Sequence, residues 1–178
     1  MGKNITEGET DQLAEIAEQT DKPNVSVIRK RAARIAAVQC LYAKMMEQTN
    51  STERLIEWQL QLMEEATQED GKRRKLNQNL LRSIFIGAMD MFGALNERAS
   101  EIFAERWSGG RMPKVMRCIL LCALYELVYT PSLRADVVLN QYSEIAAMFM
   151  DEKDVDFVHS LLKQSIVATR EANTSGAI

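Results

Sequence analysis

Hydrophobic positions along most of this chain recur every three or four residues, which is the spacing of an amphipathic helix. Stretches in which hydrophobic and polar residues alternate are missing, so strands have little support. The spacing predicts one helix from a cap on Ser26 to about residue 48, a second between a polar break at 49–51 and an end at 69–71, and a long helix over 76–107 bent near Gly93. Three more are predicted over 114–129, 135–150 and 152–172. We therefore expect an all-α protein.

The helix predicted over 114–129 is apolar on nearly every face, which places it at the centre of a bundle. Short loops separate the helices around it, so residues 25–172 are expected to form a compact helical domain of two small subdomains that share this helix. Residues 1–24 hold six acidic side chains against two lysines and few large apolar groups. We expect this segment to be a mobile acidic tail, and residues 173–178 to be a flexible end.

Composition places the chain among ordinary globular proteins, since 46% of its 178 residues are hydrophobic and 26% are charged. Its cysteines, Cys40, Cys118 and Cys122, lie in apolar helical contexts without the spacing of a disulfide framework or a zinc site. They are expected to be buried thiols in a reducing cytoplasm. The start of the chain lacks the pattern of a signal peptide, and the longest apolar run is too short to span a bilayer, so no membrane association is expected.

Residues for catalysis are scarce. His159 is the only histidine, and no serine or cysteine nucleophile with an orienting group can be identified around it. No glycine-rich phosphate loop or metal-ligand spacing is present in the sequence. We expect no enzyme activity, no cofactor and no metal.

The first predicted helix opens with a cluster of cations in the segment RKRAARIAAVQCLY, residues 29–42. At 100° per residue, Ile28, Ile35, Val38 and Tyr42 fall within roughly 80° of arc and are expected to pack, while Arg29, Lys30, Arg34 and Lys44 fall on the far side. No acidic residue occurs between Lys22 and Glu47. A polyanion is therefore the natural partner, although a merely solvated basic face is the alternative. A second basic cluster at 72–75 is a candidate for another electrostatic contact.

Three blocks of this sequence resemble the NusB transcription antitermination family. They are the segment 29–42, the segment ALYEL at 123–127, and the segment 138–149 followed by Phe157 and Val158. Their order and separation fit the family over about residues 28–167. The resemblance implies an all-helical, non-catalytic protein that binds boxA RNA with NusE, a protein of the small ribosomal subunit, and helps RNA polymerase to transcribe ribosomal RNA operons without early termination.

The resemblance also implies site residues. Lys30, Arg31 and Arg34 match the arginine-rich motif of the family, Arg29 is basic at a looser position, and Gln39 and Tyr42 match its AVQxLY end. These six are the RNA-binding candidates, with core packing as an equal alternative for Tyr42. The candidates for the protein partner are Tyr125, Glu126 and Met116.

Several positions depart from the family pattern. Met116 and Leu121 replace an acid and an arginine near the partner surface, Met150 replaces a glycine, and His159 replaces an asparagine. A second hypothesis is therefore a helical adaptor or homodimer with weak or no RNA binding. A ribosomal RNA methyltransferase is disfavoured because no cofactor-binding domain follows. The acidic tail is additionally predicted to compete with RNA for the basic helix.

Overall fold

A computed structural model describes residues 24–46, 51–70, 75–108 and 112–174. Within these ranges the chain forms eight helices and no strand: α1 (Val25–Met46), α2 (Thr52–Asp70), α3 (Gln78–Asp90), α4 (Phe92–Phe103), α5 (Glu105–Ser108), α6 (Lys114–Tyr129), α7 (Ala135–Phe149) and α8 (Glu152–Thr174). The expected all-α class is confirmed. Residues 1–23 and 175–178 lie outside the described ranges, so the expectations for the two ends of the chain stay predictions.

The helix predicted over 76–107 is three helices. Met91 leaves helical geometry at φ −95° and ψ 14°, although its N–H still donates to the carbonyl of Gly87 at 3.0 Å. The bend therefore lies two residues before Gly93, which is inside α4. Ala104 then ends α4 with a positive φ of 46°, a region that side chains other than glycine enter at a cost.

The side-chain caps of α1 and α8 lie where the sequence offers cap candidates. The Asn24 side chain accepts a hydrogen bond from the Ser26 N–H at 2.9 Å, so Asn24 takes the capping role that we predicted for Ser26. Asp151, in contrast, caps α8 as its sequence position suggests, because its side chain accepts from the Asp154 N–H at 3.1 Å.

Helix α6 is the centre of the described fold. Nine of its sixteen residues are buried, and it packs against α1, α3, α4, α7 and α8. Around it, α1 also contacts α2 and α3, and α7 contacts α8. The bundle of two groups around a shared helix is thus the architecture that the apolar character of residues 114–129 predicts. Within the described ranges, no helix has the length and apolar character needed to cross a membrane.

A glycine permits the close approach of α3 to α6. A Cβ atom built on Gly87 would lie 2.2 Å from the Cζ and Oη atoms of the Tyr125 ring. The Tyr125 ring also lies near that of Tyr129, with centroids 5.4 Å apart. Gly87 therefore provides the space that the Tyr125 side chain occupies between the two helices.

Candidate nucleic-acid interface

Helix α1 packs through its small residues. Ala33, Ala36, Ala37, Cys40 and Leu41 are all 0% exposed, whereas Ile28 and Tyr42 are 50% and 38% exposed. The predicted packing face of Ile28, Ile35, Val38 and Tyr42 is therefore wrong except at Val38, with Ile35 partly buried. Alanine and cysteine are commonly buried, and here their small size brings α1 close to α3 and α6. A prediction that relies on bulky hydrophobic residues does not detect a packing face made largely of alanine and cysteine.

Exposed cations lie at the start of α1. Arg29 and Lys30 are exposed, and neither has a carboxylate partner among the described residues. The N–H of Asn77 donates to the carbonyl of Arg29 at 3.0 Å, which brings the segment before α3 against the first turns of α1. Lys75, two residues earlier, is exposed. Residues 72–74 of the second basic cluster lie outside the described ranges.

Arg31, the next cation along α1, is partly exposed and bonded to α7. Its guanidinium forms an ion pair with Glu144, and its Nε donates to the Gln141 Oε1 atom at 3.4 Å. The side chains of Arg31 and Glu144 are 40% and 49% exposed. Together Arg29, Lys30, Arg31 and Lys75 form what we call the basic surface.

Arg34 does not belong to this surface, contrary to the prediction that it lies on a solvated face. It is only 3% exposed, and its Nε and Nη2 atoms donate to Glu126 at 2.7 and 2.9 Å. Burial lowers the pKa of Arg34, but the hydrogen bond and charge of Glu126 outweigh it, so the pKa is raised. Arg34 therefore stays charged, and its pair with Glu126 joins α1 to α6.

Tyr142 of α7 completes this buried cluster. Its hydroxyl donates to the Glu126 carboxylate at 2.8 Å. Burial, followed by the negative charge of Glu126, raises the pKa of Tyr142 well above its ordinary value. The tyrosine therefore stays a neutral donor, and Glu126 is held by two helices at once.

Gln39 and Tyr42 lie beside an apolar groove. Its volume is about 360 Å³, and its lining residues are Val38, Gln39, Tyr42, Ala43, Trp58, Val115 and Phe149. Trp58 is 47% exposed and Phe149 is 38% exposed. The core alternative for Tyr42 is therefore wrong, since its ring borders an open groove in which an aromatic partner could stack.

The predicted partner surface is mostly interior. Met116 and Glu126 are each 1% exposed, so a direct contact of either side chain with a partner is not supported. Of the three candidates, only Tyr125 keeps partial exposure. The burial of Glu126 could not be predicted from its own helix. A buried carboxylate needs a cationic partner, and that partner, Arg34, lies 92 residues earlier in the chain.

Positions that depart from the family pattern have local explanations. Leu121 is fully buried, and an apolar side chain suits this position. Met150 is extended, with φ −138° and ψ 162°, and this conformation does not require a glycine. The Nδ1 atom of His159 lies 2.9 Å from the hydroxyl of Ser143, which joins α7 to α8. None of these substitutions breaks the fold.

The three cysteines are free and buried. Burial raises the pKa of Cys40 and of Cys118 to about 12, and raises that of Cys122 well above the ordinary value. Among the described residues, no cluster of three or more histidine, cysteine or acidic side chains could hold a metal ion. The thiols are therefore poor nucleophiles at neutral pH.

The fold and this surface define a class of protein: an all-α bundle with exposed cations at the start of its first helix. The model of the NusB family matches residues 31–166, and the chain belongs to the NusB family. The transcription antitermination protein NusB of Rickettsia felis is 27% identical over 142 residues, covering 75% of this chain and 88% of the relative. That of Lysinibacillus sphaericus is 40% identical over 60 residues, covering 34% of this chain and 47% of the relative.

Two solved structures show the same fold. NusB of T. maritima has a TM-score of 0.63 and 23% identity, and the match covers 76% of this chain and 89% of that chain. A crystal structure of the antitermination factors NusB and NusE in complex with dsRNA contains a chain with a TM-score of 0.60 and 18% identity. That match covers 78% of this chain and 96% of the other. The match of the family model confirms the expected membership of the NusB family, and these structures show that its fold is shared.

Proposed function

We propose that this protein is a non-enzymatic, cytoplasmic transcription antitermination factor that binds single-stranded boxA-type RNA through the basic surface. The observation that carries the proposal is the convergence of Arg29, Lys30 and Lys75, all exposed, where the segment before α3 meets α1. Cations that are exposed and closely spaced neutralise phosphates and release counterions. The names of the curated relatives support the same role.

The residues divide between two tasks in this proposal. Arg29, Lys30, Arg31 and Lys75 contact phosphates, while Gln39 and Tyr42, beside the groove, contact bases by hydrogen bonding and stacking. Arg34 acts indirectly, because its pair with Glu126 fixes α1 on α6 and so orients the other cations.

We further propose NusE as the protein partner and the RNA polymerase complex of ribosomal RNA operons as the place of action. The solved complex of NusB and NusE with dsRNA supports such an assembly. Tyr125 is the candidate contact that retains exposure.

The test is fluorescence anisotropy with a labelled boxA-type RNA, with and without purified NusE, over a salt series. About four phosphate contacts predict a slope of log K against log salt near −3, at roughly −0.7 per contact for single strands. Arg29→Ala/Lys30→Ala should flatten the slope by about 1.4. Lys163→Ala is the matched control, since it removes an exposed cation from α8, and should change nothing. An RNA affinity and a salt slope that are unchanged in Arg29→Ala/Lys30→Ala would reject the proposed surface.

The apolar groove favours a second candidate function, a protein adaptor or homodimer with weak or no RNA binding. Exposed Trp58 and Phe149 beside one groove are the kind of aromatic residues that anchor protein interfaces. This alternative predicts no RNA binding at moderate salt and an assembly, seen by light scattering, that Trp58→Ser disrupts. RNA binding by a monomer would exclude it.

A further inference from the structure

We infer that Glu144 of α7 tunes the RNA selectivity of the basic surface by occupying Arg31. This inference rests on the proposed RNA-binding function. The Glu144 carboxylate pairs with the Arg31 guanidinium, so Arg31 differs from Arg29 and Lys30 in already having an anionic partner. A phosphate that uses Arg31 must displace or share it.

Gln141 fixes the geometry of this contact. It is 8% exposed, accepts from the Arg31 Nε at 3.4 Å, and donates from its Nε2 to the Glu144 Oε2 at 3.4 Å. The Gln141 amide therefore hydrogen-bonds to both charged groups of the pair. The arrangement holds the carboxylate on the RNA side of α1 rather than free in solvent.

Exposure makes the contact reversible. Each charged side chain is 40% exposed or more, and ion pairs in such surroundings are weak because water screens them. Opening the pair is therefore easy, but the displaced carboxylate stays near the phosphate and repels it. A ligand held by its charge alone meets this repulsion in full, whereas an RNA whose bases at Gln39 and Tyr42 fix its register keeps its phosphates farther from Glu144 and meets less of it.

Glu144 thus reduces non-specific binding more than specific binding. Specificity is a difference between affinities, and a repulsive element raises it when the correct ligand meets less of the repulsion than its competitors do. In contrast, Arg29 and Lys30 attract any polyanion, since no described carboxylate is paired with them.

The experiment compares wild type with Glu144→Gln, using oligo(U) and a boxA-type RNA of equal length at low salt. Glu144→Gln should tighten oligo(U) binding by about three- to tenfold and boxA-type RNA binding by less, so that the ratio of the two affinities falls. In the background of Arg31→Ala, the same substitution should have little effect. Thermal unfolding of each variant verifies the fold, which is expected to persist because Glu144 is half exposed.

Asp136→Asn is the matched control. It removes one negative charge from the same helix, and it breaks an exposed ion pair with Arg134 of 2.7 Å. Equal tightening by Asp136→Asn would show an effect of net charge alone and would overturn the inference. Unchanged or weaker binding by Glu144→Gln, in a protein whose affinity falls with Arg29→Ala/Lys30→Ala, would overturn it while leaving the proposed function intact. Absence of RNA binding in wild type and in Glu144→Gln would reject both.

Discussion

The guanidinium of Arg34 and the carboxylate of Glu126 form a bidentate ion pair, at 2.7 and 2.9 Å, in the interior between α1 and α6. Arg34 is part of an arginine-rich segment, yet its contribution is structural. The pair joins α1 to α6, while Arg29 and Lys30, earlier in the same segment, are exposed. One short basic motif therefore contains residues with two distinct tasks.

Removal of Glu126 should strongly destabilise the fold. Glu126→Ala leaves Arg34 charged and buried without a partner, and a broken buried pair typically costs about 3–5 kcal/mol of unfolding free energy. Urea unfolding at neutral pH measures this cost. The control is Glu53→Ala, which breaks an exposed pair with Arg82 of 2.9 Å and should cost below about 1 kcal/mol. A similar small loss for Glu126→Ala would show that Arg34 finds water in the variant.

Gly87 should not tolerate a side chain. Gly87→Ala places a Cβ about where the Tyr125 ring lies, and overpacking of this kind costs about 1–3 kcal/mol. Gly93→Ala is the control, because nothing lies within 4 Å of its Cβ position in α4, and glycine in a helix is about 1 kcal/mol less favourable than alanine. Chemical unfolding should therefore show opposite signs for the two substitutions. Stabilisation by both would mean that the Tyr125 ring moves freely.

Periodicity was sufficient to predict the helical class, the central place of residues 114–129 and most helix bounds. It misplaced the edges of the packing face of α1, because the bulky residues Ile28 and Tyr42 are exposed while the alanines pack. Helical spacing reports which residues share a face, but which face packs depends on neighbours distant in sequence. The same limit hid the Arg34 pair, whereas the assignment of Met116 and Glu126 to a partner surface came from the family resemblance.

Lys75 should contribute to RNA affinity although it is 46 positions from Arg29. The hydrogen bond between Asn77 and Arg29 brings the two cations to the same surface. Lys75→Ala should flatten the salt slope by about 0.7, the value for one contact with a single strand. Binding isotherms over a salt series measure the slope, with Lys163→Ala as the control. An unchanged slope would remove Lys75 from the RNA contacts.

Tyr42 should act through its ring. Tyr42→Phe keeps the aromatic surface at the groove and should retain RNA affinity, whereas Tyr42→Ala should lose about 1–3 kcal/mol, the range for one stacked base. Because stacking carries no phosphate charge, the salt slope should stay the same in both variants. Anisotropy titrations separate the two parameters. A flattened slope in Tyr42→Ala would indicate that α1 has shifted and moved the cations.

Alkaline pH should weaken the fold through the buried thiols. The pKa of Cys40 and of Cys118 is raised by burial to about 12 in the folded protein, from an unfolded value near 8.5. A raised pKa means that the unfolded chain loses its protons first, so the stability that these groups contribute is fully present below the unfolded pKa and is lost as pH rises towards 12. Each thiol should lower the unfolding free energy by about 1.4 kcal/mol per pH unit in that window. Urea unfolding under reducing conditions, at about pH 8 to 11, measures the slope. This range covers most of the interval between the unfolded and the folded pKa of the thiols. Cys40→Ala should make the slope shallower by about 1.4 kcal/mol per pH unit, which is the contribution of one proton, whatever its effect on stability at neutral pH. An identical slope in this variant would mean that the Cys40 thiolate forms as readily in the folded protein as in the unfolded chain.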